Sequence, residues 1–283
     1  MAQLLVGSVG TLGILTRATL RAEPYVEGRA TTLLYFRSLD EAADAAAQIR
    51  DWDVDAIEIM NHRSVQMVRE RRGGLDAPAG ECHVLLVEYS GPRRRETIAR
   101  VLRLLETNRY RLAGEPRTVE GEAEQAEVWT IRKALLPTVR GYSREHKALS
   151  VVNDIGVDTP HLADLIRDVE ALFDRLGLQA AIYGHAASGN LHLRPLFDRH
   201  AADLPALVER VAEEVYAAVF RYGGTITAEH GMGPLRAPYL AREWGDRLFG
   251  YMQRVKKIFD PEGVLNPGAM FAERPLTAGL KPL

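Results

Sequence analysis

One cysteine, Cys82, stands among 283 residues. It excludes a disulfide within the chain, a zinc–thiolate cage and an iron–sulfur cluster built from this chain alone. It lies in the apolar stretch 81–89, which reads as a buried strand, and a cytoplasmic setting is the expectation. No apolar run approaches the roughly twenty residues that span a bilayer, so any membrane association would be peripheral, through an electron-accepting partner. The opening stretch lacks a basic region and is broken by Gly7, Gly10 and Gly13, unlike a secretory signal. Charge of one sign is also missing: 36 basic against 38 acidic residues leave a net −2. That balance argues against nucleic acid or an anionic membrane as a partner. The basic runs Arg69–Arg72 and Arg93–Arg95 adjoin acidic residues and carry no aromatics, so they read as solvated helix surface. There is no internal repeat and no low-complexity tract.

What remains is the composition of an ordinary globular protein, 46% apolar and 26% charged, long enough for a sizeable core. Strand-like runs alternate with amphipathic stretches. Residues 31–36 read as a strand. Ser38 to Glu41 form a capping box that opens an alanine-rich helix to residue 49. Strands are predicted at 54–60 and 82–89, helices at 63–71 and 92–108, and an extended segment at 111–118. A single helix is predicted over 121–138 and a strand over 149–155. Thr159-Pro160 starts a helix whose apolar stripe runs from Leu162 to Leu176 and closes at Gly177. Further helices are predicted over 204–222 and from about 244 to 259. The pattern predicts an α+β fold, an antiparallel sheet with helices on one face.

Chemistry concentrates in the stretch Gly184-His-Ala-Ala-Ser-Gly-Asn-Leu-His192. Two apolar runs flank a short loop of glycines and small residues, so His185 and His192 sit at the edges of a strand–loop–strand. Two imidazoles and a carboxylate make a common open metal site, and Glu229 in Ala228-Glu-His-Gly231 could supply the carboxylate. Histidines on a loop are, however, more often plain hydrogen-bonded groups. Histidine titrates near neutrality, which qualifies His230 as a general base against the alternative of a surface residue. Arg132, within Val128-Trp-Thr-Ile-Arg-Lys-Ala-Leu-Leu-Pro137, needs a partner: a substrate carboxylate is one candidate, an internal acid the commoner one. Asn266 in Leu265-Asn-Pro-Gly268 reads as a turn former.

Four segments in order resemble the FAD-linked oxidases of the vanillyl-alcohol-oxidase superfamily. These are Gly7 to Thr16, the Gly184–His192 stretch, Thr225-Ile-Thr-Ala-Glu-His-Gly-Met-Gly233 and Phe259-Asp-Pro-Glu-Gly-Val-Leu-Asn-Pro-Gly268. The nearest branch is that of the D-lactate and D-2-hydroxyglutarate dehydrogenases, including large members with an iron–sulfur module, to which Trp129–Pro137 and Glu243-Trp-Gly245 are similar. The resemblance implies that residues 1–22 are the end of an FAD-binding domain. Residues 23–283 would then form the C-terminal substrate, or cap, domain of ferredoxin-like type, with 259–283 returning toward the flavin. It implies oxidation of a small D-2-hydroxy acid by hydride transfer to FAD. His185, His192 and Glu229 would hold a divalent metal, zinc by analogy, with His230 as base and Arg132 on the substrate carboxylate. Ser8, Gly10, Thr11, Gly13, Ile14, Asn190 and Asn266 would contact the cofactor.

Several positions depart from the family pattern. Ser188 stands where an acidic residue is usual, Val9 where a glutamate is, Val152 where some members have a lysine, and Arg194 where an asparagine occurs. The glycine-rich pyrophosphate loop of the family's FAD domain has no counterpart in the chain. The expectation is therefore a fragment that lacks its N-terminal FAD domain and does not hold FAD tightly alone. An iron–sulfur module or another electron-transfer partner, and a homodimer, are further expectations. Two other readings stay open: a metal-dependent hydrolase using the same residues, and a non-catalytic remnant serving as an interaction module.

Overall fold

The computed structural model describes residues 2–73, 77–271 and 275–279. After a short α1 (Ala2–Leu5) and an extended lead, the chain alternates β1 (Ala30–Phe36), α2 (Leu39–Ile49), β2 (Ala56–Met60), α3 (His62–Arg72), β3 (His83–Tyr89) and α4 (Arg94–Asn108). It continues through β4 (Arg117–Val119), α5 (Glu122–Lys133), α6 (Leu135–Arg140), β5 (His146–Ala148), β6 (Ile155–Gly156) and α7 (Leu162–Arg175). Then come β7 (Ala180–His185), β8 (Asn190–Asp198), α8 (Leu204–Arg221), α9 (Gly233–Arg236) and α10 (Leu240–Phe259). The strands form one antiparallel sheet in the order β4-β1-β3-β2-β7-β8-β5, with β6 also on β8.

The antiparallel α+β architecture is as expected, but helices cover both faces of the sheet rather than one. Leu34, Phe36, Ile57, Ile59, Leu85, Val87, Ile182 and Leu193 line one face and pack against α2, α4, α7 and α8. The fit of α7 follows from its stripe: Leu162, Leu165, Ile166, Val169, Leu172 and Phe173 are all buried. Each such side chain contributes about 1.5–3 kcal/mol by leaving water. On the other face Leu33, Tyr35, Met60, Val84, Leu86 and Tyr183 meet α3, α5 and α6. Covered on both sides, β1 is buried along its whole length. The second face is only partly covered. Its β2–β7–β8 end carries the polar site.

Three further sequence expectations are corrected. The helix predicted over 121–138 is two helices that meet at Ala134 (φ −73°, ψ −9°). Pro137 has no N–H to donate, and its ring crowds the carbonyl of the residue four earlier. The strand predicted over 149–155 is almost all irregular, with ladder pairing only at β6. Side chains take its acceptors instead: the Tyr216 hydroxyl donates to the Val151 carbonyl at 2.7 Å, and His192 Nδ1–H to that of Asn153 at 2.9 Å. The extended segment expected at 111–118 shrinks to β4 plus a single bridge between Phe36 and Leu112.

Candidate functional site

The sheet register builds the site. Glu58 on β2 lies directly opposite His185 on β7, and Tyr183 opposite His192 on β8. Alternate residues of a strand share a face, so Glu58, Tyr183, His185, His192 and Arg194 all belong to one face of three adjacent strands. The β7–β8 connection is a single 3-10 turn, Ala186–Ser188, closed by Gly189 at φ +67°. A Cβ at Gly189 would sit 1.9 Å from the Val157 carbonyl oxygen, so the turn needs glycine for both its conformation and its packing.

The second half of the site hangs on one carboxylate. Asp154, fully buried, accepts the backbone N–H groups of Glu229 (3.2 Å) and His230 (2.9 Å). It also accepts the Asn190 amide (3.0 Å) and the Arg236 guanidinium (3.2 Å). This lashes the Glu229-His230 segment to the hairpin. The Glu229 carboxylate then faces three imidazoles: His230 Nε2 at 3.1 Å, His192 Nε2 at 3.2 Å and His185 Nε2 at 3.6 Å. The His192 and His230 rings stack, centroids 5.2 Å apart.

The other nitrogen of each hairpin histidine is committed. His185 Nδ1 meets Glu58 Oε1 at 2.6 Å, and His192 Nδ1 meets the Asn153 carbonyl at 2.9 Å. Both partners only accept, so Nδ1 carries the proton and the Nε2 lone pair faces Glu229. Two lone pairs against a carboxylate are repulsive unless a cation or an added proton lies between them. The Glu58 hydrogen bond raises the pKa of His185, whereas burial lowers that of His192. A divalent cation fits this donor set, since metal-bound histidines keep their second nitrogen on an acceptor in this way. Asp154, His192, Glu229 and His230 also gather ligand atoms within 4.8 Å of one another. Because the oxygens of Asp154 already hold four donor groups, His185 is the better ligand.

Arg132 does not reach into open space. Its Nε (3.0 Å) and Nη2 (2.6 Å) both donate to Glu58 Oε2, and its guanidinium lies 5.1 Å from the Tyr183 ring centroid. The internal acid that the sequence left open is thus Glu58. Arg194, 2% exposed, donates to the Ser150 hydroxyl while its Nε lacks a partner. Sequence reasoning passed over Glu58, Asn153, Asp154 and Arg236. An acid inside Ala56-Ile-Glu-Ile-Met60 and an Asn-Asp pair after Val151-Val152 were the available signals; Arg236 offered none.

The expected flavin contacts divide into two places. Asn266 Nδ2 donates to the Val9 carbonyl at 2.5 Å, bringing the first and last segments together beside Gly10. Ser8 and Thr11 are buried, their hydroxyls donating to the carbonyls of Leu5 (2.8 Å) and Ser8 (2.7 Å). Ile14 is exposed, a Cβ added at Gly13 would meet open space, and Asn190 lies elsewhere, on Asp154. Ser8 and Thr11 border a cavity of about 510 Å³ that also touches Glu229, Gly231, Trp244 and Tyr251. Its lining is mainly apolar and contains no lysine or arginine. An aromatic ring system fits such a wall; a pyrophosphate does not.

The structure thus sets a His–His–Glu cluster beside an apolar cavity on an antiparallel α+β domain. The chain belongs to the family "FAD linked oxidases, C-terminal domain", whose pattern matches residues 26–270. It is 29% identical over 275 residues to the glycolate oxidase subunit GlcD of Bacillus subtilis, covering 96% of this chain and 57% of that protein. The D-lactate dehydrogenase (cytochrome), mitochondrial, of Arabidopsis thaliana is 27% identical over 277 residues, covering 95% and 47%. A D-2-hydroxyglutarate dehydrogenase of Pseudomonas putida is 34% identical over 203 residues, covering 70% of this chain and 20% of that protein. The chain spans about half the length of the first two relatives. Among solved structures, 4-ethylphenol oxidase from Gulosibacter chungangensis shares the fold at a TM-score of 0.62 and 15% identity, over 89% of this chain and 55% of that one.

Proposed function

We propose that this domain supplies the substrate site of an FAD-dependent oxidoreductase that oxidises a D-2-hydroxy acid of the lactate, 2-hydroxyglutarate or glycolate class to the 2-oxo acid. The observation that carries the reading is the convergence of three imidazole Nε2 atoms within 3.6 Å of one carboxylate, Glu229, beside an apolar cavity. His185, His192 and Glu229 would hold a divalent ion, zinc by analogy, and the cavity wall from Ser8 to Thr11, with Asn266 behind it, would face the flavin ring. When bound, the ion would polarise the substrate hydroxyl and the flavin would serve as acceptor of the α-hydrogen as hydride. His230, stacked on His192, is the base that takes the hydroxyl proton. Two of the five N–H groups of Arg132 are spent on Glu58, so a substrate carboxylate would meet the guanidinium through the others. The apolar walls exclude water from the reacting carbon. The FAD-binding domain, and an iron–sulfur module or other electron acceptor, would be separate parts of the assembly.

The test is anaerobic reduction of the flavin in holoenzyme assembled with its FAD-binding domain. D-Lactate, glycolate or D-2-hydroxyglutarate is expected to bleach the flavin. His230→Gln should slow bleaching by about 10²–10⁴-fold with little change in substrate affinity. Flavin that none of the three acids reduces would refute the reading.

A further inference from the structure

Glu58 joins two groups that have separate tasks in the proposed reaction. Its carboxylate is nearly buried, with a side-chain exposure of 8%. One oxygen, Oε1, takes the Nδ1–H of His185; the other, Oε2, takes two N–H groups of Arg132. The reach to His185 is set by the sheet, because the two residues are register partners in the β2–β7 pair. The reach to Arg132 is set by the packing of α5, whose Val128 and Ile131 are buried in the same core as Tyr183. Neither contact depends on a loop. His192 has no such adjustable partner, since a main-chain carbonyl holds its Nδ1.

We infer that Glu58 is a positioning residue that couples the metal ligand His185 to the substrate-binding arginine Arg132. By accepting from Nδ1 it holds His185 in the tautomer and ring orientation that present the Nε2 lone pair toward Glu229. By accepting from Nε and Nη2 it fixes the orientation of the guanidinium plane. The inference rests on the metal reading given above. It adds that one carboxylate, itself neither ligand nor substrate contact, sets the geometry of both.

The test uses the full 283-residue chain, Co²⁺ and Zn²⁺ as probes, and the variants Glu58→Gln, Arg132→Gln and His185→Ala. Glu58→Gln should weaken metal binding by about 10- to 100-fold in chelator competition. The visible bands of bound Co²⁺ should shift in position as well as intensity. In the metal-free chain, histidine side-chain ¹⁵N spectra should show His185 leaving the Nδ1–H tautomer. Arg132→Gln keeps the Glu58–His185 contact, and should leave that tautomer and the metal affinity close to wild type. Equal losses in Glu58→Gln and Arg132→Gln would mean general loosening of this face and would overturn the inference. Wild-type affinity and bands in Glu58→Gln would overturn it while leaving the metal reading intact. Failure of the wild type to bind either ion, or unchanged binding by His185→Ala, would remove the metal reading and this inference together.

Discussion

Protonation is set residue by residue, and His83 shows it outside the site as clearly as His185 and His192 do within it. Burial lowers the pKa of His83 to about 4, and its Nδ1 accepts the His62 backbone N–H at 3.2 Å. An unfolded histidine titrates near 6.5. Between those two values the unfolded chain binds a proton that the folded chain refuses, so stability falls as pH drops from about 6.5 toward 4. His83→Gln should flatten that limb of the stability curve, measured by urea denaturation at several pH values. A slope unchanged by the substitution would mean that other groups carry it. Arg194 is a different single-residue case. It is a buried guanidinium with no carboxylate among its described partners, on the same strand face as His192, at a position where the family pattern has an asparagine. Nothing in its surroundings explains the change of residue.

The β7–β8 hairpin is the element that turns separate residues into a site. Its register puts both histidines on one face, and its turn leaves no room for a side chain at Gly189, where the Val157 carbonyl closes in. Gly189→Ala combines positive φ with that clash. It should destabilise the domain by at least about 1–3 kcal/mol and loosen the pairing of β6 with β8 on which Asp154 depends. Chemical denaturation reads the first effect and chelator competition the second. A fully stable alanine variant would show that the turn can relax. The breaks in the helix over 121–138 and the strand over 149–155 belong to the same scale. The first places Arg132 two residues before the α5–α6 junction, and the second leaves the Asn153 carbonyl to His192 and the Asp154 carboxylate to the 229–230 segment.

At the scale of the molecule, apolar side chains remain uncovered on one side. Trp244, Leu248 and Tyr251 of α10 lie exposed along the cavity shared with Leu4 and Val6. Patches of this kind mark contact surfaces, and this one borders the wall assigned to the flavin. With no phosphate-binding group in that wall, the chain purified alone should carry flavin well below one equivalent by absorbance. Stoichiometric FAD on the isolated chain would contradict the assignment of the pyrophosphate site to a separate domain. No helix among the described residues is long and apolar enough to cross a membrane.

The sequence by itself determined most of the elements and singled out His185, His192, Glu229 and His230 as chemically capable groups. Local periodicity places the stripe of α7, the capping Ser38 beside Glu41 and the two histidines at the ends of a short turn, because these depend on neighbours a few residues apart. Residues 272–274 and 280–283, part of the tail expected to return toward the flavin, lie outside the described structure; in the described part, Asn266 donates to the Val9 carbonyl. Only the tertiary structure decided the partners. That Arg132 binds Glu58, 74 positions away, and that Asp154 holds Glu229 and His230 from 75 and 76 positions away, follows from strand order and register, which no local pattern encodes. The strand–turn–strand from Tyr183 to His192 was legible as a hairpin. Its meaning as a three-histidine cage around a carboxylate came from the irregular chain beside it, where side chains outcompete the sheet for the backbone's hydrogen bonds.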